Sequence, residues 1–408
     1  MQKGIEKEIK IEEKELKKIK LGFSSIVIFR NILKTKVIKK LIKFLNFECK
    51  DDADDIKKLD LYSEFLSEIF KYNNNLSDYI LSQIFLDDNI YINKIVLKKE
   101  INDNLKKILK NELIFFKFIS SFDFSSLLSN EYSQKIAKLE IKEIDFYKIY
   151  GEHIKNIDKK GYGIFYNNNM FILDDRKNIV AVKNKDNQDI KNLYGYESER
   201  NKVLSNTKIL LECKKANNIL LYGDAGTGKS STVKAVANFF KDEGLRLIEI
   251  KKNQLNFITD IIESLSYSPL KFIIFIDDLT FSSNDDTFSY LKAVLEGGVN
   301  SFPNNIAVYV TSNYRHLIKE NFTDRTGDDI HIEDTIQQIM SLANRFGTII
   351  TFQRPDKNLF SEIVLSYAKE NNIKIDKEEL IKQAEAYAIR SAGRSPRVAK
   401  QFIELLKR

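Results

Sequence analysis

Asn218-Ile219-Leu220-Leu221-Tyr222-Gly223-Asp224-Ala225-Gly226-Thr227-Gly228-Lys229-Ser230 is the stretch from which the architecture can be read. Its second half fits the spacing G-x-x-x-x-G-K-[ST], and its surroundings fit too: an apolar strand, Asn218–Tyr222, leads in, and a helical run, Ser231–Phe240, leads out. Glycines at these positions let successive backbone N–H groups curl inward, and the following helix adds the positive end of its dipole. Such a loop cradles phosphates. Gly223, Asp224, Ala225, Gly226, Thr227, Gly228, Lys229, Ser230 and Ser231 are therefore the expected phosphate-binding set. Lys229 would reach the β- and γ-phosphates as a point charge, and the Ser230 hydroxyl would ligate Mg²⁺.

Downstream, Phe272-Ile273-Ile274-Phe275-Ile276-Asp277-Asp278 is an apolar strand ending in two carboxylates. At the carboxyl edge of a strand beside such a loop, a carboxylate meets the metal, directly or through water. Asp277 is assigned to Mg²⁺ and Asp278 to polarising the attacking water.

Around these motifs the text alternates. Ile219–Tyr222, Leu245–Ile250, Phe272–Ile276, Ile306–Val310 and Thr348–Phe352 are short apolar runs separated by helical segments. That alternation implies a parallel sheet covered by helices. After Pro355 the text is helical to the end. Residues 1 to about 150 also read as helices, with Phe29, Ile32, Leu33, Val37, Ile38, Leu41, Ile42 and Leu45 at three- and four-residue spacing. Lys34, Lys36, Lys39, Lys40 and Lys43 fill the gaps as a solvated basic face, or as a surface for DNA or acidic lipid. Between the halves, Ile164–Tyr166, Met170–Leu173 and Ile179–Val182 read as a small β-meander, followed by a polar linker, Lys183–Lys191.

These motifs resemble the AAA+ superfamily of ATPases. Beyond the phosphate loop, the resemblance is carried by Ile276-Asp277-Asp278-Leu279, Thr311-Ser312-Asn313, Ala343-Asn344-Arg345-Phe346-Gly347 and Gly393-Arg394-Ser395-Pro396-Arg397-Val398-Ala399. More closely, Ala216–Gly223, Leu291–Gly298 and Thr311–Leu317 resemble an uncharacterised bacterial AAA+ family, domain of unknown function 815, from about residue 160 onward. The resemblance implies roles residue by residue. Asn313 resembles sensor 1, with its amide near the γ-phosphate and the attacking water. Arg345 resembles the arginine finger, acting on ATP held by a neighbouring subunit. Arg397 resembles sensor 2, with Arg394 the competing choice. Tyr194 and Gly195, in Leu193-Tyr194-Gly195-Tyr196, resemble the segment that packs on adenine. Wider AAA+ usage often has Glu where Asp278 stands, so fast hydrolysis is less assured than ATP binding.

The expected fold is thus α/β. A P-loop NTPase (AAA+) parallel sheet carries a C-terminal helical lid and follows a mainly helical N-terminal domain and a β-meander. The expected boundaries are 1–158, 159–192, 193–354 and 355–408. The expected function is Mg-ATP binding with hydrolysis between subunits of a homo-oligomer, a ring or partial ring, acting on an unidentified protein client. A switch that retains ATP and a nucleic-acid remodeller or loader are the alternatives.

Composition adds limits. The net charge of +7 is small beside 65 basic and 58 acidic residues, so it supports nucleic-acid binding only weakly. Cys49 and Cys213 fit neither a metal spacing nor a disulfide framework. The opening MQKGIEKEIKIEEKELKKIK lacks the apolar core of a secretory leader, and no run is long enough to span a bilayer, so a cytoplasmic location is expected. The stretch Asn321–Thr335, with Asp324, Asp328, Asp329, His331, Glu333 and Asp334, is read as a solvated acidic loop and not a metal site. His153, His316 and His331 show no common metal spacing.

Overall fold

A computed structural model describes residues 14–49, 51–128, 136–183, 188–282, 287–296, 302–314, 317 and 341–407. The expected acidic loop Asn321–Thr335, His316, Gly297-Gly298 and part of the linker lie outside the described residues. The chain divides into two units: Met1–Ile157 with Gly161–Tyr166, and Asp158–Lys160 with Asn167–Arg408.

The first unit is helical: α1 (residues 14–24), α2 (Lys36–Asn46), α3 (Asp52–Ile69), α4 (Leu76–Leu86), α5 (Ile90–Val96), α6 (Asp103–Ser120) and α7 (Phe146–Lys155). Asparagine, abundant in this chain, starts several of them. The side chains of Asn75, Asn89 and Asn102 accept from the first free amides of α4, α5 and α6. The apolar periodicity of α2 becomes a core face of Val37, Ile38, Leu41, Phe44 and Leu45. Lys34, Lys36, Lys39 and Lys43 are exposed, while Lys40 lies 3.7 Å from Glu68 of α3. Glu112 is buried because it serves the backbone: its carboxylate accepts from the amides of Val27, Ile28 and Phe29 at 2.7, 3.0 and 3.1 Å.

The second unit is built on a seven-stranded sheet: β1 (Met170–Leu173), β2 (Ile179–Ala181), β3 (Ile219–Gly223), β4 (Leu245–Glu249), β5 (Lys271–Ile276), β6 (Ile306–Ser312) and β7 (Thr348–Phe352). The order is β2-β1-β4-β5-β6-β3-β7, and every pairing is parallel except β1 with β2. β5 and β6 are buried along their whole length, as unbroken apolar runs in a covered parallel sheet must be. The helices α8 (Glu197–Leu211), α9 (Lys229–Phe239), α10 (Ile258–Ser266) and α11 (Phe288–Glu296) belong to this layer. A lid of α12 (Lys357–Glu370), α13 (Lys377–Arg390) and α14 (Pro396–Leu406) follows. This is the α/β P-loop architecture with a helical lid that the motifs imply.

Two local readings differ from expectation. The segment Ile164–Tyr166 is not a strand: Phe165 and Tyr166 donate their amides three residues back, to Tyr162 and Gly163, closing a 3₁₀ turn at Gly163–Phe165. The hairpin β1–β2 does not stand apart as a joining module. β1 pairs in parallel with β4, Phe171 opposite Ile248, and extends the main sheet. The alternation visible in the sequence cannot reveal a partner about seventy residues away.

The connector is fastened within the second unit. Arg246, at the start of β4, is 3% exposed. Its guanidinium donates to the carbonyls of Lys241, Leu245, Lys159 and Lys160 at 3.0, 3.0, 3.2 and 3.1 Å. A buried cation so far from water is kept only by such a full set of acceptors.

Candidate functional site

The phosphate loop joins β3 to α9 at the carboxyl edge of the sheet. Gly223 has φ of 138°, and a Cβ there would overlap the Phe352 carbonyl oxygen of β7, so glycine is required where the neighbouring strand comes this close. The loop is braced from within: Thr227 Oγ1 donates to the Asp224 carbonyl at 2.8 Å. Gly228 caps α9, and its carbonyl accepts from the Thr232 amide at 2.8 Å.

Lys229, the first residue of α9, is 7% exposed. Its ammonium donates to the Gly223 and Asp224 carbonyls at 2.7 and 2.8 Å and to Asn313 Oδ1 at 3.1 Å. Burial pushes its pKa down to about 8, against the pull of Asp224, Asp278 and Asp277, while Arg397 adds to the depression. These four neighbours place both strand-end carboxylates and the lid arginine within electrostatic reach of the loop lysine.

Asp277 and Asp278 leave β5 with different surroundings. Asp277 Oδ1 accepts from the Ser230 hydroxyl at 2.5 Å and from the Thr311 hydroxyl at 2.6 Å. Asp278 has φ of 50°. Its amide donates to Thr311 Oγ1 at 2.8 Å, and its carboxylate accepts from Asn313 Nδ2 at 2.8 Å. A non-glycine residue in this conformation needs surroundings that hold it, and Thr311 and Asn313 at the end of β6 supply them. Thr311, to which the sequence assigns no role of its own, contacts both aspartates. It lies in the Thr-Ser-Asn triplet, one strand over from Asp277, and only strand adjacency makes it the partner of both aspartates.

The hydroxyl of Ser230 and the carboxylate of Asp277 form an all-oxygen pair, which fits Mg²⁺. Among the described residues no group of three or more His, Cys, Asp or Glu side chains could hold a metal. A two-residue oxygen site suits an ion that completes its shell with water and phosphate oxygens.

These groups open into a cavity of about 720 Å³, whose lining includes Gly226, Gly228, Lys229, Ser230, Ser231, Asp277, Asp278, Asn313 and, from the lid, Arg397. Pockets of roughly 300–1,000 Å³ are the usual size for small-molecule sites. The lid touches the loop directly: the Arg397 amide donates to the Gly226 carbonyl at 3.3 Å. Arg394 is engaged elsewhere, its guanidinium on both carboxylate oxygens of Glu385 at 2.8–3.0 Å.

Other candidates fall outside the cavity. Tyr194 stands edge-on to Tyr367 of α12, with centroids 4.8 Å apart, and Gly195 packs on Ile363 of the same helix. Among the described residues the cavity wall here is formed by Asn192 and Leu193 from that segment, with Tyr367 and Ile403 from the lid. Tyr194 therefore supports the aromatic wall from behind. Arg345 follows the helical residues 341–343 and donates to Ser341 Oγ at 2.9 Å; it is not part of the described lining of this chain's own cavity.

Comparison with known proteins gives a family and distant structural likenesses. Residues 166–408 match the model of the family described as protein of unknown function (DUF815). No curated protein matches the chain. Among solved structures, the Thermotoga maritima RuvB Holliday junction branch migration motor and a point variant of it each align at 15% identity with a TM-score of 0.37. The alignment covers 53% of this chain and 63% of that one, so the present chain spans less than two thirds of those proteins.

Proposed function

The chain belongs to the family described as protein of unknown function (DUF815), and from that premise we propose that it is an AAA+ ATPase that binds Mg-ATP in its second unit and hydrolyses it with help from a neighbouring subunit. One observation carries the reading. The buried Lys229, the Ser230–Asp277 pair, Asp278 with Asn313, and the lid residue Arg397 all open into a single cavity at a helix N-terminus.

In this reading the loop amides and Lys229 hold the β- and γ-phosphates, and Ser230 and Asp277 hold Mg²⁺, which offsets charge on the phosphates. Asp278 orients the attacking water and accepts its proton, with Asn313 fixing the carboxylate. Arg397 meets the γ-phosphate from the lid. Arg345, which resembles an arginine finger, acts in this reading on the ATP of a neighbouring subunit. Such an arginine can be worth roughly 10³–10⁵ in rate. The helical first unit is then the part that would meet a client.

A slow switch is the second reading, favoured by the Asp278 carboxylate being engaged by Asn313. Single-turnover assays separate the two: ATP held intact for hours supports the switch. For the binding claim itself, calorimetry with Mg-ATP should give saturable heat that Lys229→Ala weakens by about a hundredfold or more, as expected when a buried charge partner is removed. Equal affinity in wild type and Lys229→Ala would sink the proposal.

A further inference from the structure

The link between the sheet and the lid is short: β7 ends at Phe352, and Asp356 already caps α12, its side chain accepting from the Leu359 amide. Residues 353–356 are the link between sheet and lid, a segment of the length that serves as a hinge. Arg354 lies in the middle of this hinge and contacts two other parts of the unit.

Its backbone amide donates to Asp224 Oδ2 at 2.9 Å, and the Asp224 amide donates to the Phe352 carbonyl at 3.1 Å. The second residue of the phosphate loop is thereby tied by one bond to the hinge and by another to the end of β7. The side chain of Arg354 runs the other way. Its guanidinium donates to the Ala392 carbonyl at 3.3 Å and fills the space beside Gly393, where a Cβ would stand 2.8 Å from Nη1. Gly393 has φ of 87°, which allows the turn between α13 and α14 to lie this close. Two residues on, Ser395 caps α14 by accepting from the Val398 amide at 3.2 Å, and the Arg397 amide donates back to Gly226. The contacts form a closed circuit: Asp224 to Arg354, Arg354 to the Ala392–Gly393 turn, that turn through Ser395 to Arg397, and Arg397 to Gly226.

We propose that Arg354 is a positioning residue: it sets where Arg397 stands over the phosphate loop and, through Asp224, makes that placement follow the shape of the loop. The role in nucleotide handling rests on the function proposed above; the circuit itself does not. A displacement of about 1 Å of a group acting on a reacting phosphate can cost about a hundredfold, so a side chain that fixes the turn before Arg397 acts on the γ-phosphate without touching it.

The test compares a slowly hydrolysed ATP analogue with ADP, both with Mg²⁺, in the full chain. Arg354→Ala should weaken the triphosphate roughly tenfold and leave the diphosphate within about twofold, because Arg397 is positioned for the third phosphate. Arg354→Met, which keeps the stem and removes every side-chain donor, is run beside it so that poor folding of the alanine variant does not decide the outcome. Arg354→Lys should recover most of the loss. The double variant with Arg397→Ala should be no weaker than Arg397→Ala alone. Equal weakening of both nucleotides, or full additivity with Arg397→Ala, overturns the proposal. Hydrogen exchange of the nucleotide-free proteins separates it from the ATP reading. The Gly393 and Arg397 amides should exchange roughly fivefold faster in Arg354→Met, the increment expected when a hydrogen bond is lost; unchanged exchange overturns the coupling. If wild type binds neither nucleotide while the exchange difference persists, the ATP reading fails and the circuit stands.

Discussion

Burial holds Lys229 down at about 8, from an ordinary value of 10.5, and the shift has two consequences of definite sign. Between those values the unfolded chain binds the extra proton and the folded chain does not, so this residue makes stability rise with pH across that window and contributes no slope below it. For a triphosphate the direction is opposite. In the proposed complex the phosphates require the ammonium, so binding above pH 8 would take up a proton, and affinity should fall by up to about tenfold per pH unit. Calorimetry at pH 9 in two buffers of different ionisation heat would show the uptake; affinity that stays flat from pH 7 to 9.5 would contradict it. The strand, loop and helix around Gly223–Ser230 were legible because the motif is contiguous. Thr311 was not, because its role arises from the pairing of β5 with β6. Tyr367 was not, because nothing local marks which tyrosine of a packed pair faces a cavity and which stands behind it.

Among the elements, the lid shows how packing separates residues that the sequence leaves equivalent. Arg394, just before the Ser395 cap, and Arg397, in the first turn of α14, both fit a phosphate sensor by sequence. The structure commits Arg394 to a bidentate pair with Glu385 of α13 and leaves Arg397 on the cavity wall. Arg394→Ala should therefore lower lid stability by about 1 kcal/mol, a partly exposed pair being worth little more, and barely change nucleotide affinity. Arg397→Ala should do the reverse. Urea unfolding and calorimetry on the same two variants would check this, and a larger affinity loss for Arg394→Ala would reverse the assignment. The strands of the sheet were legible as apolar runs with turn residues between them. The hairpin β1–β2 was visible as strands, but its place in the sheet depends on β4, far along the chain.

For the whole molecule, the proposed intersubunit site predicts complementation. Lys229→Ala keeps an arginine finger but loses its own site; Arg345→Ala keeps a site but loses its finger. Each alone should be nearly inactive. Mixed in equal amounts they should regain turnover, since random assembly of a ring sets an intact site against an intact finger at about a quarter of interfaces. No recovery on mixing, in proteins shown to co-assemble, would mean that Arg345 serves its own subunit or none.

The clasp that Arg246 makes on Lys159 and Lys160 bears on where this protein can be cut. The family match begins at residue 166, which invites a cut there. Yet trimming to residue 167 would strip the Lys159 and Lys160 carbonyls from the Arg246 guanidinium, which is buried in the full chain. An excised second unit should begin before Ile157. The shorter fragment should give up about 1 kcal/mol per lost hydrogen bond in urea titration.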